Sequence, residues 1–322
     1  MRELAKAKKS EAAPKKGAAR EAGEDVRGVD DSLREAAWLA EIASRFSRSR
    51  SADRILRFIA SQPERASGMT ASALAEAIGV TPATVVRFAQ SAGFRGWPDF
   101  QTHFRHRYLG SLSPTAVDLA LEVRERPAGA ALSRDLRNLE TLVETVDEAA
   151  LAGVARAIAS GRTLVASSGS YTAVGEILVQ NARFLGYDVT LEARGASHLV
   201  GAILALEPGD TFIAVSFWRL TNQIVQAARW CREHGIRTVA ITDSVFSPLA
   251  AEADEVLTAP TESVAFFQSL TGAISLVYAL LAELHELDGD RARTTLREAQ
   301  KLYDALEVLY RSPGTNDKPK ES

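Results

Sequence analysis

After residue 160 the chain changes rhythm, and few folds accommodate the new one. Thr163–Ala166, Tyr187–Leu191, Thr211–Ser216, Arg237–Ile241 and Glu255–Leu257 are short, largely apolar runs, and helical stretches separate them. Runs of this kind, without polar alternation, read as strands buried on both faces. Alternation with helices predicts βαβ units, hence a parallel sheet covered by helices on both sides. Val264–Leu287 and Arg291–Tyr310 read as closing helices.

Residues 31–109 have a different pattern, that of a compact all-α domain. A broad apolar face runs over Leu33–Phe46, and Ser51–Ser61 repeats the signal until Pro63 stops it. Thr70–Ala77 reads as a short helix with Leu74 and Ala77 inward, and Ile78-Gly79-Val80 as a tight turn. Thr81–Ser91 is the next helix, with Val85 and Phe88 as core positions, and Trp97–Tyr108 follows through Pro98. Residues 1–30 nearly lack large apolar side chains and are expected to be a disordered tail, as is 312–322. Residues 110–145 read as a linker at Gly110–Pro114 plus connecting helices, near Thr115–Arg126 and from Leu132 to Ser160, interrupted by Pro127 and Gly129. The sheet domain is expected over 146–288 and a C-terminal helix over 289–311.

With 46% hydrophobic and 25% charged residues, the 322-residue chain can bury a sizeable core, so general disorder is ruled out. No run of about 18 uncharged apolar residues appears, so no transmembrane helix is expected. The start, MRELAKAKKS, lacks the apolar stretch of a secretory signal, and a cytoplasmic location is expected. Cys231 is the single cysteine, which excludes an internal disulfide, and the five histidines are scattered; no metal or other cofactor is expected. Charge is uneven. Residues 31–110 carry 11 Arg against 7 Asp/Glu, whereas 111–322 carry 19 basic against 28 acidic residues, so a polyanion would meet the front of the chain. Ordinary surface scatter is the other reading of that balance.

The segment Ser72–Phe88 has the layout of a helix-turn-helix. Gly79 supplies the freedom a sharp turn needs. Thr81 suits the cap of the second helix and Pro82 its first position. Leu74, Ala75, Ile78, Val80 and Val85 would weld the two helices, leaving Thr81, Pro82, Ala83, Thr84 and Arg87 on the outer side to meet a major groove. Ser72 and Arg95 join them as candidate DNA contacts. A helix–Gly–helix in an ordinary small bundle is the plainer alternative.

The stretch from Met69 to Phe104 resembles the N-terminal domain of the RpiR family of bacterial transcription regulators. Leu74-Ala75, Val80-Thr81, Ala83-Thr84-Val85, Arg87-Phe88, Gly93-Phe94, Gly96 and Phe100 carry the likeness. Such regulators have a C-terminal sugar isomerase (SIS) domain, which residues 145–288 resemble through Ile241-Thr242-Asp243, Ser247-Pro248-Leu249-Ala250, Ala253-Asp254 and Leu206–Asp210. The resemblance implies an α/β/α sandwich, a double-stranded DNA operator as partner, and homodimers or homotetramers. Val264–Leu270 and the helix after it are apolar enough to bury between subunits, or within one.

In that fold, ligands sit beyond the C-terminal ends of the strands. The first strand runs into Ser167-Ser168-Gly169-Ser170-Tyr171-Thr172, a hydroxyl-rich loop suited either to an anion or merely to a tight turn. The family pattern has glycine at Ser167 and serine at Tyr171. The third strand runs into Ser216–Thr221, where the family's phosphate-binding pattern is Ser-x-Ser-Gly-x-Thr; Ser216 and Thr221 match, but Trp218 and Arg219 replace the inner Ser and Gly. Arginine can itself bind carboxylate or phosphate. Ser168, Gly169, Ser170, Thr172, His198, Ser216, Arg219, Thr221 and Ser247 are therefore the candidate effector contacts, for a small anion that is a sugar phosphate or an organic acid. Three function classes follow: a ligand-responsive regulator, which is the expectation; an aldose–ketose isomerase, for which Glu262 and Glu176 are available carboxylates that nothing places beside a substrate and in which the front domain would have no use; and a regulator whose rear domain only dimerises.

Overall fold

The computed structural model describes Trp38, Ile42 and residues 49–112, 126–264 and 266–310. The expected tails, most of the helix over Leu33–Phe46, and the helix near Thr115–Arg126 lie outside the described residues. Two units are distinguished, divided between residues 120 and 121.

The first unit contains α1 (Arg50–Ser61), α2 (Pro63–Gly68), α3 (Ala71–Ile78), α4 (Pro82–Ser91) and α5 (Trp97–Ser111). Pro63 ends α1 and also opens α2, a short helix not anticipated; its missing N–H is no loss in a first turn. Aromatic rings fill the centre. Phe100, fully buried, lies 5.1 Å from Phe94, 5.3 Å from Trp97, 5.4 Å from Phe88 and 5.9 Å from Trp38, centroid to centroid. Trp97 Nε1 and Gln101 Nε2 both donate to the Met69 carbonyl at 2.8 Å, tying α5 to the residue that precedes the cap of α3. On α3 the buried side chains are Leu74, Ala75 and Ile78. Ala77, expected inward, is exposed. At about 100° per residue, the face through those three turns position 77 away.

The second unit contains α6 (Pro127–Thr145), α7 (Glu148–Ser160), β1 (Thr163–Ser167), α8 (Thr172–Phe184), β2 (Val189–Glu192), α9 (Ala196–Ile203), β3 (Thr211–Val215), α10 (Asn222–Glu233), β4 (Arg237–Thr242), β5 (Glu255–Thr258), α11 (Thr271–Leu287) and α12 (Gly289–Ala305). The strands lie in the order β2-β1-β3-β4-β5 and every pairing is parallel. Alternate residues feed opposite faces, as strand geometry requires. Val165, Ile213, Val215, Val239 and Ile241 pack with Leu142 of α6, Val154 of α7, Leu178 of α8 and Leu280 of α11. Leu164, Phe212, Ala214 and Ala240 pack with Leu199 of α9 and Ile224, Ala228 and Cys231 of α10. This is an α/β/α sandwich on a parallel sheet, as the alternation predicts.

Three expected boundaries are corrected. Pro127 opens α6 rather than interrupting a helix, and Gly129 is carried inside it. The break comes instead at Val146–Asp147, where Asp147 accepts the Ala150 N–H (3.0 Å) and caps α7. The closing helix begins at Thr271, not Val264. Residues 259–264 and 266–270 form an irregular strap, with Ser269 N–H donating to the Thr261 carbonyl (3.2 Å). Glu262 ties it to α6 by pairing with Arg134 and by its carbonyl, which accepts from Asn138 Nδ2 (2.8 Å); Thr271, at the start of α11, donates from Oγ1 to Asp135 of the same helix (3.0 Å). The last helix ends at Ala305, short of Tyr310.

Candidate functional site

In the first unit, Thr70 Oγ1 accepts the Ala73 N–H (3.2 Å) and starts α3. Gly79, at φ +66°, ends it in the left-handed region, and Thr81 Oγ1 accepts the Thr84 N–H (3.3 Å) to start α4. A support that local sequence reading missed comes from α1: the Arg54 guanidinium donates to the carbonyls of Ile78 and Gly79, groups left open at a helix C-terminus. Ser72, Thr81, Pro82, Ala83, Arg87 and Arg95 are exposed; Thr84 is half-buried, its hydroxyl 2.9 Å from that of Thr81. Arg95 is held to Asp99 by its backbone N–H (2.9 Å) and side chain (3.4 Å).

In the second unit, strand order reverses between β1 and β3, because the chain runs outward from β1 to β2 and then returns to β3. Such a switch point opens a crevice at the C-terminal strand ends. Ser167 pairs with Val215 in register, so the loops after β1 and β3 leave the sheet side by side. A hydrogen bond joins them: Ser168 Oγ lies 2.6 Å from Thr221 Oγ1. Thr221 consequently makes no side-chain cap to α10. Tyr171 stacks edge-on against buried Phe217 at 5.4 Å, joining the loops a second time.

Trp218 has φ +46°, a left-handed conformation costing on the order of 1–3 kcal/mol for a bulky residue. Its N–H donates to Asp243 Oδ2 (2.9 Å) at the end of β4. The next N–H, of Arg219, donates to the Tyr171 hydroxyl. The Arg219 guanidinium sits 5.3 Å from the Trp218 ring and 5.6 Å from that of Phe266, which the strap supplies. These two rings meet edge to face at 5.6 Å.

Burial, with the Asp243 carboxylate adding to it, pushes the Tyr171 phenol up to about 12 against the opposing hydrogen bond and charge of Arg219. A folded-state pKa above the unfolded value gives stability that is full below about pH 10 and is lost as pH rises through the folded pKa. Alkaline titration followed by phenolate absorbance is expected to show one tyrosine that resists ionisation until the second unit unfolds; if Tyr171→Phe leaves the titration unchanged, that assignment fails. At the end of β2, hydrogen bonds from the Arg194 side chain hold the buried Glu192 carboxyl below the usual range. Burial pushes the Cys231 thiol up to about 12, which makes it a packing residue rather than a nucleophile.

Two sequence families divide the chain as these two geometries do. The helix-turn-helix domain of the rpiR family matches residues 38–109, and the SIS domain matches 163–283. The sugar isomerase domain of an RpiR transcription factor from Sphaerobacter thermophilus is 32% identical, covering 55% of this chain and 99% of that one, with a TM-score of 0.53. The chain belongs to the RpiR family. An HTH-type transcriptional regulator of Caldanaerobacter subterraneus subsp. tengcongensis, itself uncharacterised, is 23% identical over 249 residues, which are 71% of this chain and 81% of that protein. The Vibrio vulnificus NanR protein, solved with ManNAc-6P, shares the fold at 21% identity and a TM-score of 0.55, over 83% of this chain and 98% of that one.

Set against the RpiR pattern, the expected crevice residues separate into groups. Ser168 and Thr221 come together, the Arg219 guanidinium lies against the Trp218 and Phe266 rings, and Ser216 follows the end of β3, its hydroxyl fully buried with no partner among the described residues. Gly169 has φ +60° and open space where a side chain would stand. Ser170 is exposed and Thr172 begins α8. The Ser247 hydroxyl is buried and already engaged, with Thr242 Oγ1 and the Leu249 N–H both at 3.2 Å. His198 is exposed on α9, after β2. Two other motifs of the family likeness serve the opposite end of the sheet. Asp210 accepts from the Arg162 (3.0 Å) and Glu207 (2.9 Å) N–H groups, and Asp254 accepts the Thr238 N–H (2.9 Å). Asp243 and Phe266 were missed as site residues; the Asp243 carboxylate beside a loop lacking glycine was a readable signal, whereas Phe266 was hidden in an apolar run.

Among the described residues, no helix is long and apolar enough to cross a membrane, and no cluster of three His, Cys, Asp or Glu could hold a metal.

Proposed function

We propose that this RpiR-family transcription regulator binds a two-fold symmetric operator as a homodimer or homotetramer, and that a small anionic metabolite in the β1–β3 crevice sets its DNA affinity. The observation that carries the reading is the pairing of an outward-facing α4 with a switch-point crevice containing an arginine. Within the fold, NanR in complex with ManNAc-6P is a precedent for a small anion on such a chain. The ligand acts only through its difference in affinity for two arrangements of the protein.

Thr81, Pro82, Ala83, Thr84 and Arg87, with Ser72 and Arg95 beside them, are the groups assigned to DNA. Arg87 is the side chain on which most affinity should rest, because it is exposed on α4 and no acceptor among the described residues holds its guanidinium. Arg87→Ala is expected to weaken operator binding by about 1–3 kcal/mol, with far less change on random DNA. Titration of the protein's own promoter against random duplex at physiological salt tests the whole reading. Equal affinity for both would overturn it.

Assembly through the second unit draws support from the apolar side chains α6 leaves exposed, Leu132, Leu136 and Val143, and from Leu302, Leu306 and Leu309 at the end of α12 and beyond. Light scattering at micromolar concentration is expected to return at least twice the 34.7 kDa chain mass. An isomerase reading gains nothing from the carboxylates considered for it: Glu262 is paired with Arg134, and Glu176 is exposed on α8.

A further inference from the structure

Resting on the homo-oligomer reading above, we propose that a second copy of this chain docks in the cleft between α8, α11 and α12, the two copies of α12 lying antiparallel about a two-fold axis near Gln300. The cleft measures about 730 Å³ and its walls are mostly apolar: Phe184 and Leu185 of α8, Tyr278 and Leu281 of α11, and Leu296 and Tyr303 of α12. Of the 17 residues of α12, only Ala292 is buried. Tyr303 stacks on Phe184 at 6.1 Å and the Arg291 guanidinium lies 4.9 Å from the Tyr187 ring, yet Tyr303 is only half-buried and Arg291 is exposed. A helix of that length is marginal without an apolar face to pack on. Tyr278 and Leu287 on α11, Leu296 and Leu302 on α12, and the four apolar residues of 306–310 are all exposed. At roughly 100 Å² for each of these eight side chains, the face comes to about the 800 Å² that one side of a stable interface covers.

Self-complementarity names the occupant. A two-fold interface sets one surface patch against its own copy, so ridge and groove must lie on the same patch. Here they do, since α12 forms one wall of the cleft and is itself the ridge. At about 100° per residue, Leu296 and Tyr303 share the stripe of Ala292; Leu302 and Leu306 widen it on one side, and Arg293, Arg297 and Asp304 bound it on the other. Charge then selects the orientation. From Asp288 to Arg297 three arginines outweigh two aspartates, and from Glu298 to Glu307 three acids outweigh one lysine. The last turn of α12 holds Asp304 and no base, the reverse of what a helix dipole favours there. An antiparallel copy offsets this by setting Arg297 beside the partner's Asp304 and Asp304 beside the partner's Arg297, whereas a parallel copy would set like charges together.

Sedimentation equilibrium of the full chain, from nanomolar to micromolar concentration, measures pairing in the parent and in variants at exposed positions. Leu302→Asp/Leu306→Asp is expected to weaken pairing about 100-fold or more, because each change is made twice in a symmetric dimer. Arg297→Glu and Asp304→Arg are each expected to weaken it about tenfold. The exchange Arg297→Glu/Asp304→Arg is expected to return it to within about threefold of the parent, a rescue that independent effects at the two positions would not give. Leu136→Asp, on the exposed apolar face of α6, is expected to leave the α12 pair intact. Circular dichroism of each variant serves as the folding control. A parent dimer that Leu302→Asp/Leu306→Asp leaves intact, charge reversals whose effects simply add in the exchange, or dissociation to monomers by Leu136→Asp overturns the proposal alone. A parent that sediments at 34.7 kDa throughout overturns the assembly reading beneath it.

Discussion

Phe100→Ala is expected to unfold the first unit and abolish operator binding, while the second unit keeps its own cooperative melting transition. The ring is fully buried, and five other rings lie against it, among them Phe104 at 6.4 Å and Trp38. Removing it forfeits the transfer energy of the side chain and leaves a void that five stiff aromatic groups cannot close. Phe→Ala changes of this kind cost about 3–5 kcal/mol. Small domains bury less of their surface than large ones, and whole-domain stabilities run from about 5 to 15 kcal/mol, so the loss approaches the total. Far-UV circular dichroism with heating, together with promoter titration, checks this. Normal operator affinity and an unchanged first transition would show that the aromatic cluster is not what holds α4 in place.

The parts of the structure that could be read from the sequence are those whose cause is local. Thr81-Pro82 specifies a helix start by itself, and the cap is present at Thr81 Oγ1. The central strands were legible because a strand covered on both faces must be apolar at consecutive positions, as Val165 and Ala166 are. The nearness of the loops after β1 and β3 was legible, since the fold puts both where those adjacent strands end. Their chemistry was only half legible. That Trp218 and Arg219 stand where a phosphate loop has serine and glycine is visible in the letters. That the Trp218 N–H turns to Asp243, 25 residues away, is not. Nor is the support of the helix-turn-helix by Arg54, which reaches carbonyls 24 and 25 residues on. The strap failed for a related reason. Val264–Leu270 has an apolar composition that suits a helix, and the bonds to α6 that flank it, at Glu262 and Thr271, lie more than 120 residues from their partners in sequence.

Those bonds set the second large effect. The double variant Arg134→Ala/Asn138→Ala is expected to destabilise the second unit by about 3–5 kcal/mol and to free the strap. Asn138 is 3% exposed and donates to the Glu262 carbonyl; without it that partly buried carbonyl loses a partner. Arg134 and Glu262 are both mostly buried, so deleting the guanidinium leaves a carboxylate without its counter-charge, which costs far more than an exposed pair is worth. Amide exchange is expected to accelerate over 261–271 and to stay slow in β1 and β3. The consequence for function follows from what the strap touches. Phe266 stands over Arg219 at one end, and Glu262 and Thr271 hold α6, the first described helix after residues 113–125. A strap free of α6 can still lie against an effector but has nothing to pull on. The variant is therefore expected to bind its promoter with or without effector at one common affinity. Promoter titrations with and without a small anionic metabolite that raises the melting temperature of the parent measure this. An effector response equal to the parent's, with exchange in the strap accelerated, would show that the signal leaves the crevice by another route.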